Sequence, residues 1–242
     1  MNTNRETVPR DPARVREMFG KISRPYDCIN RLCSLGIDRY WRRQLIVSVG
    51  RCRTGPVLDL ATGSGDVALL LQRAGYDVTG LDFCAPMLAL ARQKGVKKLL
   101  QGDAMHMPFP DQSFAAVTVA FGFRNFADYT LALREIWRVL QPGSALHILE
   151  FSSPAKWLAG PYRCYLGKIM PLLAGIISRQ PGAYDYLAST VARFPDADGL
   201  AALLAAAGYT NIAWQKHTFG IVAIHRGQKP VSGCCQTHKT AS

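Results

Sequence analysis

Val57-Leu-Asp-Leu-Ala-Thr-Gly-Ser-Gly-Asp66 decides how this chain folds. Val57 to Leu60 reads as a short apolar strand, Gly63 and Gly65 as a tight turn, and Asp66-Val-Ala-Leu-Leu-Leu-Gln-Arg73 as the start of a helix. That order brings backbone N–H groups and a helix N-terminus to one point in space. Glycine is needed there because a β-carbon would hold a bound molecule off the backbone. The stretch reads as a cradle for a nucleotide cofactor.

Two cofactors compete for the cradle. Gly63-Ser-Gly65-Asp-Val-Ala68 satisfies the G-x-G-x-x-G/A pattern of dinucleotide enzymes, in which the helix end faces a pyrophosphate. The alternative is the turn of S-adenosylmethionine (SAM) methyltransferases. SAM has no phosphate, and its amino-acid end carries an ammonium that a carboxylate can hold. Asp59 and Asp66 suit that zwitterion better than a pyrophosphate.

The segments beyond the turn decide between them. Asp77 to Asp82 is a second strand ending in an acid, Pro86 to Lys94 a helix, and Lys98 to Asp103 a third strand ending in an acid. Phe114 to Ala120 is the fourth strand. Tyr129 to Leu140 is an amphipathic helix stopped by Gln141-Pro-Gly143, and Ser144 to Glu150 is the fifth strand. This alternation predicts a parallel sheet with right-handed crossovers. Asp196 to Ala207 is a helix, and Tyr209 to Gln215 with Phe219 to His225 forms an antiparallel hairpin. A seven-stranded α/β sheet ending in that hairpin describes the Rossmann-like class I SAM-methyltransferase fold better than a dehydrogenase. Asp82 is placed to accept both ribose hydroxyls, a role that SAM and NAD share. Asp103 is placed to accept from the adenine amino group, while Ala104 offers a backbone N–H to a ring nitrogen. With Asp59, Gly63, Gly65 and Asp82 they make SAM the expected cofactor.

Upstream, Asp11 to Phe19 is a short helix, Tyr26 to Gly36 a mixed aromatic and polar segment suited to covering a pocket, and Ile37 to Val49 another helix. Residues 154–195 break the alternation with a long apolar and aromatic stretch, which reads as a helical cap inserted into one domain spanning 1–228. Residues 229–242 read as a loose tail, with Cys234 and Cys235 in it.

The 242 residues, 48% hydrophobic, are enough for one large core. Seven cysteines without a CxxC fit a reducing compartment, hence a cytoplasmic protein, and no apolar region suggests a secretory signal. The net charge of +12 is spread along the chain without a nucleic-acid-binding signature, so no nucleic-acid partner is expected. Anionic lipid headgroups account for the excess equally well, as does an ordinary basic surface. No cluster has metal-ligand spacing.

A resemblance sharpens this reading. Tyr26-Asp27-x-x-Asn30, Ser34-x-Gly36, Trp41-Arg42, Pro108-Phe-Pro-Asp111, Phe121-Gly-Phe-Arg124-Asn125, Arg138-Val-Leu-x-Pro-Gly143 and Glu150-Phe-Ser-x-Pro154 occur in order, and after them come Tyr186-Leu187, Phe194-Pro195 and His225-Arg226-Gly227. Over roughly residues 14 to 229 the chain resembles the quinone-biosynthesis C-methyltransferases, which act on demethylmenaquinol or on 2-methoxy-6-polyprenyl-1,4-benzoquinol. The resemblance implies SAM contacts at Ser64, Asp82, Asp103 and Ala104, and a further one at Ala120, where the family often has serine. Ala61 replaces the first glycine of the usual turn, and Cys84 stands where serine commonly caps a helix.

It also implies a polyprenyl quinol as substrate, methylated on a ring carbon of the menaquinone or ubiquinone precursor. Such a carbon becomes nucleophilic once a ring hydroxyl ionises. A phenolic pKa near 10 must fall by about three units to be useful at neutral pH, which takes roughly 4 kcal/mol. Arg124, at the end of the fourth strand, is the candidate cation for the oxyanion, with a structural salt bridge to an acid such as Asp103 as the alternative. Asn125 is expected to orient the ring hydroxyl. Tyr26 and Asp66 are expected to hold substrate or a water, with filler as the alternative for Tyr26. A polyprenyl tail must be met at a membrane. Trp157 to Ile177, with Lys156, Arg163, Lys168 and Arg179, fits a surface dipping into the interface on the inner face of the cell membrane, the alternative being a buried helix pair. The base, the choice of quinol and a homodimer all stay open, and the alternatives are methylation of another small molecule or a SAM-binding scaffold subunit of a quinone-making complex.

Overall fold

The computed structural model describes residue 20, residue 31, and residues 34–50, 55–169 and 189–231. The helix expected at 11–19, Tyr26, the second half of the cap and the paired cysteines lie outside the described residues. Among those described, seven strands form one sheet in the order β3-β2-β1-β4-β5-β7-β6. The elements are α1 (Asp38–Val49), β1 (Val57–Leu60), α2 (Asp66–Arg73), β2 (Val78–Asp82), α3 (Ala85–Gln93), β3 (Lys98–Gln101) and β4 (Phe114–Ala120). They continue as α4 (Tyr129–Val139), β5 (Leu140–Phe151), α5 (Lys156–Cys164), α6 (Ala197–Ala206), β6 (Thr210–His217) and β7 (Val222–Gln228).

Strands β1 to β5 pair in parallel, and β7 joins β5 and β6 antiparallel. The fold expected from sequence is therefore present. Every residue of β1 is buried, as helices on both faces of a parallel sheet require. On α4, Ala132, Leu133, Ile136 and Val139 face the core at helical spacing, and the Asp128 carboxylate caps the helix by accepting from the Leu131 N–H at 2.9 Å. One core lies beneath α4 and α6, the other beneath α1, α2 and α3.

Three boundaries differ from the sequence expectation. The α4 helix does stop before Gln141-Pro-Gly143, but β5 starts at once, because Leu140 pairs with Phe114 and a bulge absorbs the proline–glycine step. The final strand begins at Val222, since Thr218 and Phe219 take left-handed backbone that ends β6 in a turn. Lys229, expected in the tail, is built into the fold: its ammonium donates to the Trp137 and Leu140 carbonyls at 2.7 Å, satisfying the end of α4.

The chain builds outward from β1 to β2 and β3, then crosses to β4 on the other side. Ligands of open α/β sheets bind beside the carboxyl ends of the strands at such a reversal.

Candidate active site

Two cavities open at that reversal. The smaller, ≈ 90 Å³, is lined by residues after β1, β2, β3 and β4, among them Gly63, Asp82, Cys84, Asp103, Ala104 and Asn125. The larger, ≈ 360 Å³, runs from the glycine turn to the cap helix α5. Ala61, Gly63, Ala120 and Phe121 line both and stand at the boundary between them.

In the smaller cavity the Asp82 carboxylate accepts from the Gly63 N–H at 2.8 Å and the Cys84 N–H at 2.9 Å. Burial raises its pKa, while those N–H groups pull the other way. Asp103 accepts from the Met105 N–H at 2.9 Å and lies 3.5 Å from His106. A β-carbon at Gly63 would meet no atom within 4 Å, so the space above the turn is open to a ligand. Gly65 has a different task. Its φ is +84°, and a β-carbon there would lie 2.7 Å from Val96 and 2.9 Å from Ala91. It seats α2 against α3, and neither cavity is lined by it.

The polar end of the larger cavity carries most of its charge. Asp59 is buried, accepts from the hydroxyls of Thr62 at 2.5 Å and Thr118 at 2.8 Å, and burial pushes its pKa up to about 6. Lys94 donates to the Ser64 hydroxyl at 3.0 Å and to Asp66 at 2.8 Å, and the Arg42 guanidinium lies 3.8 Å from Asp66. Burial opposes the charge on Asp66, but Lys94, Arg42 and Arg31 together hold its pKa below the ordinary value. Asp66 thus lines the larger cavity with two cations, Lys94 and Arg42, beside its carboxylate. Arg42 in turn bonds Asp38, which also accepts from Ser34 at 2.8 Å.

At the other end, Arg124 is buried against Glu150. Its Nη1 donates to Glu150 Oε1 at 2.9 Å and to the Phe121 carbonyl, and its backbone N–H reaches Glu150 Oε2 at 3.2 Å. The partner is Glu150, not the Asp103 expected as the alternative. Nε and Nη2 make no hydrogen bond among the described residues. Asn125 follows Arg124 in a short 3₁₀ turn, Phe123–Asn125, where successive side chains point about 120° apart. It lines the smaller cavity, whereas Arg124 lines the larger one. Tyr26 lies outside the described residues.

Sequence reasoning left several residues without a role. Tyr162 on α5 lines the larger cavity, and its hydroxyl makes no hydrogen bond among the described residues. Burial raises its pKa, with the Arg124 charge acting against that shift, so it stays protonated. Trp41 donates from Nε1 to the Thr218 hydroxyl at 2.7 Å, joining α1 to the β6–β7 turn at the cavity wall. The Trp41-Arg42 pair was visible among the motifs, but nothing local in the sequence says what it faces.

The profile of the ubiE/COQ5 methyltransferase family matches residues 7–229. The chain belongs to that family. Among similar proteins is a demethylmenaquinone methyltransferase of Thermus thermophilus, 48% identical over 221 residues that cover 88% of this chain and all of that one. Another, from Deinococcus radiodurans, is 45% identical over 223 residues, covering 89% of this chain and 92% of its own. Among solved structures, a SAM-dependent methyltransferase from Thermotoga maritima aligns with a TM-score of 0.66 at 19% identity over 88% of this chain and 98% of that one. A Haemonchus contortus phosphoethanolamine N-methyltransferase 2 in complex with SAM aligns at 0.59 and 16% identity, covering 78% of this chain and 52% of that one. This ubiE/COQ5 chain is a SAM-dependent methyltransferase, and its residues fit the cofactor. The open space over Gly63, the acceptors Asp82 and Asp103, and the acids at the polar end match a nucleoside joined to a zwitterion.

Proposed function

We propose that this methyltransferase acts on a ring carbon of demethylmenaquinol, with adenosine in the smaller cavity and the quinol in the larger. SAM would supply the methyl on a sulfonium: the carbon–carbon bond would form as the carbon–sulfur bond broke, S-adenosylhomocysteine would leave, and the ring proton would pass to water to restore aromaticity. The observation that carries the reading is Arg124, a buried guanidinium whose Nη2 makes no hydrogen bond among the described residues, at a cavity that shares four lining residues with the cofactor cavity.

Magnitudes assign the roles. Three units of quinol pKa correspond to about 4 kcal/mol. Glu150 offsets much of the Arg124 charge, so Arg124 contributes chiefly one oriented, charge-assisted hydrogen bond, about 1.5–3 kcal/mol. A second donor is required. Tyr162, protonated and without another hydrogen-bond partner among the described residues, supplies it from the cap side. Glu150 holds Arg124 in place. The aromatic and aliphatic remainder of the cavity, including Phe121, Phe151, Leu158 and Leu166, excludes water from the ring.

The same cavity opens toward an apolar rim. Trp157 and Phe219 are 66% and 67% exposed, with ring centroids 5.3 Å apart. Leu35, Ile37 and Tyr40 are exposed on α1 and the turn before it, and Lys156, Arg163 and Lys168 are exposed on and just after α5. None of the α5 residues is buried, which does not fit an ordinary core helix. No helix among the described residues is long and apolar enough to cross a membrane. This rim is our candidate for the contact with an anionic bilayer from which the polyprenyl tail enters.

The test is methyl transfer from labelled SAM by the purified protein, supplied in turn with reduced demethylmenaquinone and with reduced 2-methoxy-6-polyprenyl-1,4-benzoquinone. Product from the naphthoquinol supports the assignment. Turnover of the benzoquinol alone, or SAM binding without turnover of either, overturns it. Flotation with anionic vesicles at low salt tests the rim: Trp157→Ala with Phe219→Ala should lose binding that the native chain shows.

A further inference from the structure

Arg42 is a second cation at the larger cavity, and the account of ring activation leaves it without a task. It reaches the cavity from α1 and lines it together with Gly63, Ser64 and Asp66. Its side chain is 11% exposed. Nη1 is bonded to Asp38 one helical turn earlier, and Nη2 stands 3.8 Å from Asp66, beyond hydrogen-bond reach. The guanidinium lies over the ring of Phe121, 5.7 Å from its centroid, while Arg124 lies over Phe151 at 5.2 Å. Those two rings are 5.1 Å apart. The two arginines thus attend neighbouring parts of one aromatic wall, Arg42 toward the glycine turn and Arg124 toward the cap.

The chemistry of the cofactor gives Arg42 its role. With adenosine in the smaller cavity, the amino-acid end passes Gly63 into the polar end of the larger one. An α-amino acid brings a carboxylate as well as an ammonium. Asp66 and Asp38 are already paired with cations, which leaves Asp59 for the ammonium; no acid accommodates the carboxylate, and Lys94 does not line the cavity. A guanidinium presents donors in a fixed fork matched to a carboxylate. We propose that Arg42 binds the carboxylate of the cofactor's amino-acid end, and that Asp38 acts as a positioning residue holding the fork in place. The proposal rests on the reading that places adenosine in the smaller cavity.

Two ligands that differ only in the amino-acid end test it: S-adenosylhomocysteine, and 5′-methylthioadenosine, which keeps the nucleoside and thioether. Calorimetric titration of the full chain should show that Arg42→Gln cuts the preference for S-adenosylhomocysteine by about 10- to 100-fold, the range for one lost charge-assisted hydrogen bond. Its affinity for 5′-methylthioadenosine should stay within about twofold, since no charge-assisted bond to that ligand is lost. Decarboxylated S-adenosylmethionine should likewise bind both forms alike. Removing Arg42 leaves Asp38 and Asp66 without their shared cation, so Arg42→Lys, which keeps the charge, and Arg42→Gln with Asp38→Asn, which removes its nearest counterpart, guard against a folding defect. The first should lose part of the preference and the second all that Arg42→Gln loses. An unchanged preference in these variants, or an equal loss for both ligands, overturns the role of Arg42. Failure of the native chain to bind 5′-methylthioadenosine at all overturns the cavity assignment, and this inference with it.

Discussion

The two cavities are made differently. The smaller is built by backbone: strand ends, a glycine turn, and an aspartate fixed by two N–H groups. The larger is built by side chains from segments far apart in the chain, including Asp38 and Arg42 from α1, Arg124 after β4, Tyr162 from α5 and Thr218 from the β6–β7 turn. A backbone site is fixed once the fold forms and suits one unchanging ligand. A side-chain site depends on a few partnerships, each of which a single substitution can remove, so most of the chemistry and most of the vulnerability should lie in the larger cavity.

The sharpest break in that contrast is at Arg124. Arg124→Ala leaves Glu150 buried without its counterion, which costs about 3–5 kcal/mol of stability, and it should lower kcat by about 100- to 1,000-fold. Adding Glu150→Gln should restore much of the melting temperature and none of the turnover, and SAM affinity should hold in the double variant. Restored turnover would make the pair purely structural. Next, Tyr162→Phe should lower kcat by about 10-fold, the loss of one hydrogen bond to a developing anion, with SAM affinity unmoved in an equilibrium titration.

How much of this the sequence carries depends on the distance between partners. The strand–turn–helix of β1 and α2 and the acids ending β2 and following β3 are local, so the smaller cavity is legible, apart from Gly65, whose contacts with Ala91 and Val96 come from the next helix unit. Arg124 is legible as a strand-end cation, yet its partner depends on strand order. Ala120 pairs with Leu149, which delivers Glu150 to the Arg124 turn. Asp103 follows a strand three spacings away from β4, about 14 Å, too far for an ion pair. The Arg138 motif turns out to be a clasp. It bonds Glu135, Asp111 and the carbonyls of Met107 and Phe109, tying the Pro108-Phe-Pro-Asp111 loop to α4, a purely structural use of two family motifs. Arg42 and Tyr162 are not legible, because no local pattern says which cavity a helix side chain enters.

Two smaller effects sharpen the contrast from the cofactor side. SAM carries a net positive charge, and Asp59 has a pKa near 6 when the site is empty, raised by burial. A bound cation favours the ionised carboxylate, so SAM affinity should rise by about tenfold between pH 5 and 7 and should flatten in Asp59→Asn. Stability runs the other way. A folded pKa above the unfolded one stabilises the empty protein below about pH 4, and that contribution is lost as pH rises through 6. Thermal unfolding across this range without SAM should show the loss, and Asp59→Asn should remove it. Least in size, Ala120→Ser puts a hydroxyl at the boundary between the cavities and should tighten S-adenosylhomocysteine by about threefold through one neutral hydrogen bond.

The most direct measurement is a crystal structure with S-adenosylhomocysteine and an oxidised demethylnaphthoquinone bound together. The account predicts adenine beside Asp103 and Ala104, the ribose on Asp82, the sulfur at the boundary between the cavities, by Gly63 and Phe121, and a ring oxygen within hydrogen-bond reach of Arg124 Nη2 with the Arg124–Glu150 pair intact. A quinone ring lodged outside the larger cavity, or Arg124 held on Glu150 with no donor turned toward the ring, would contradict it.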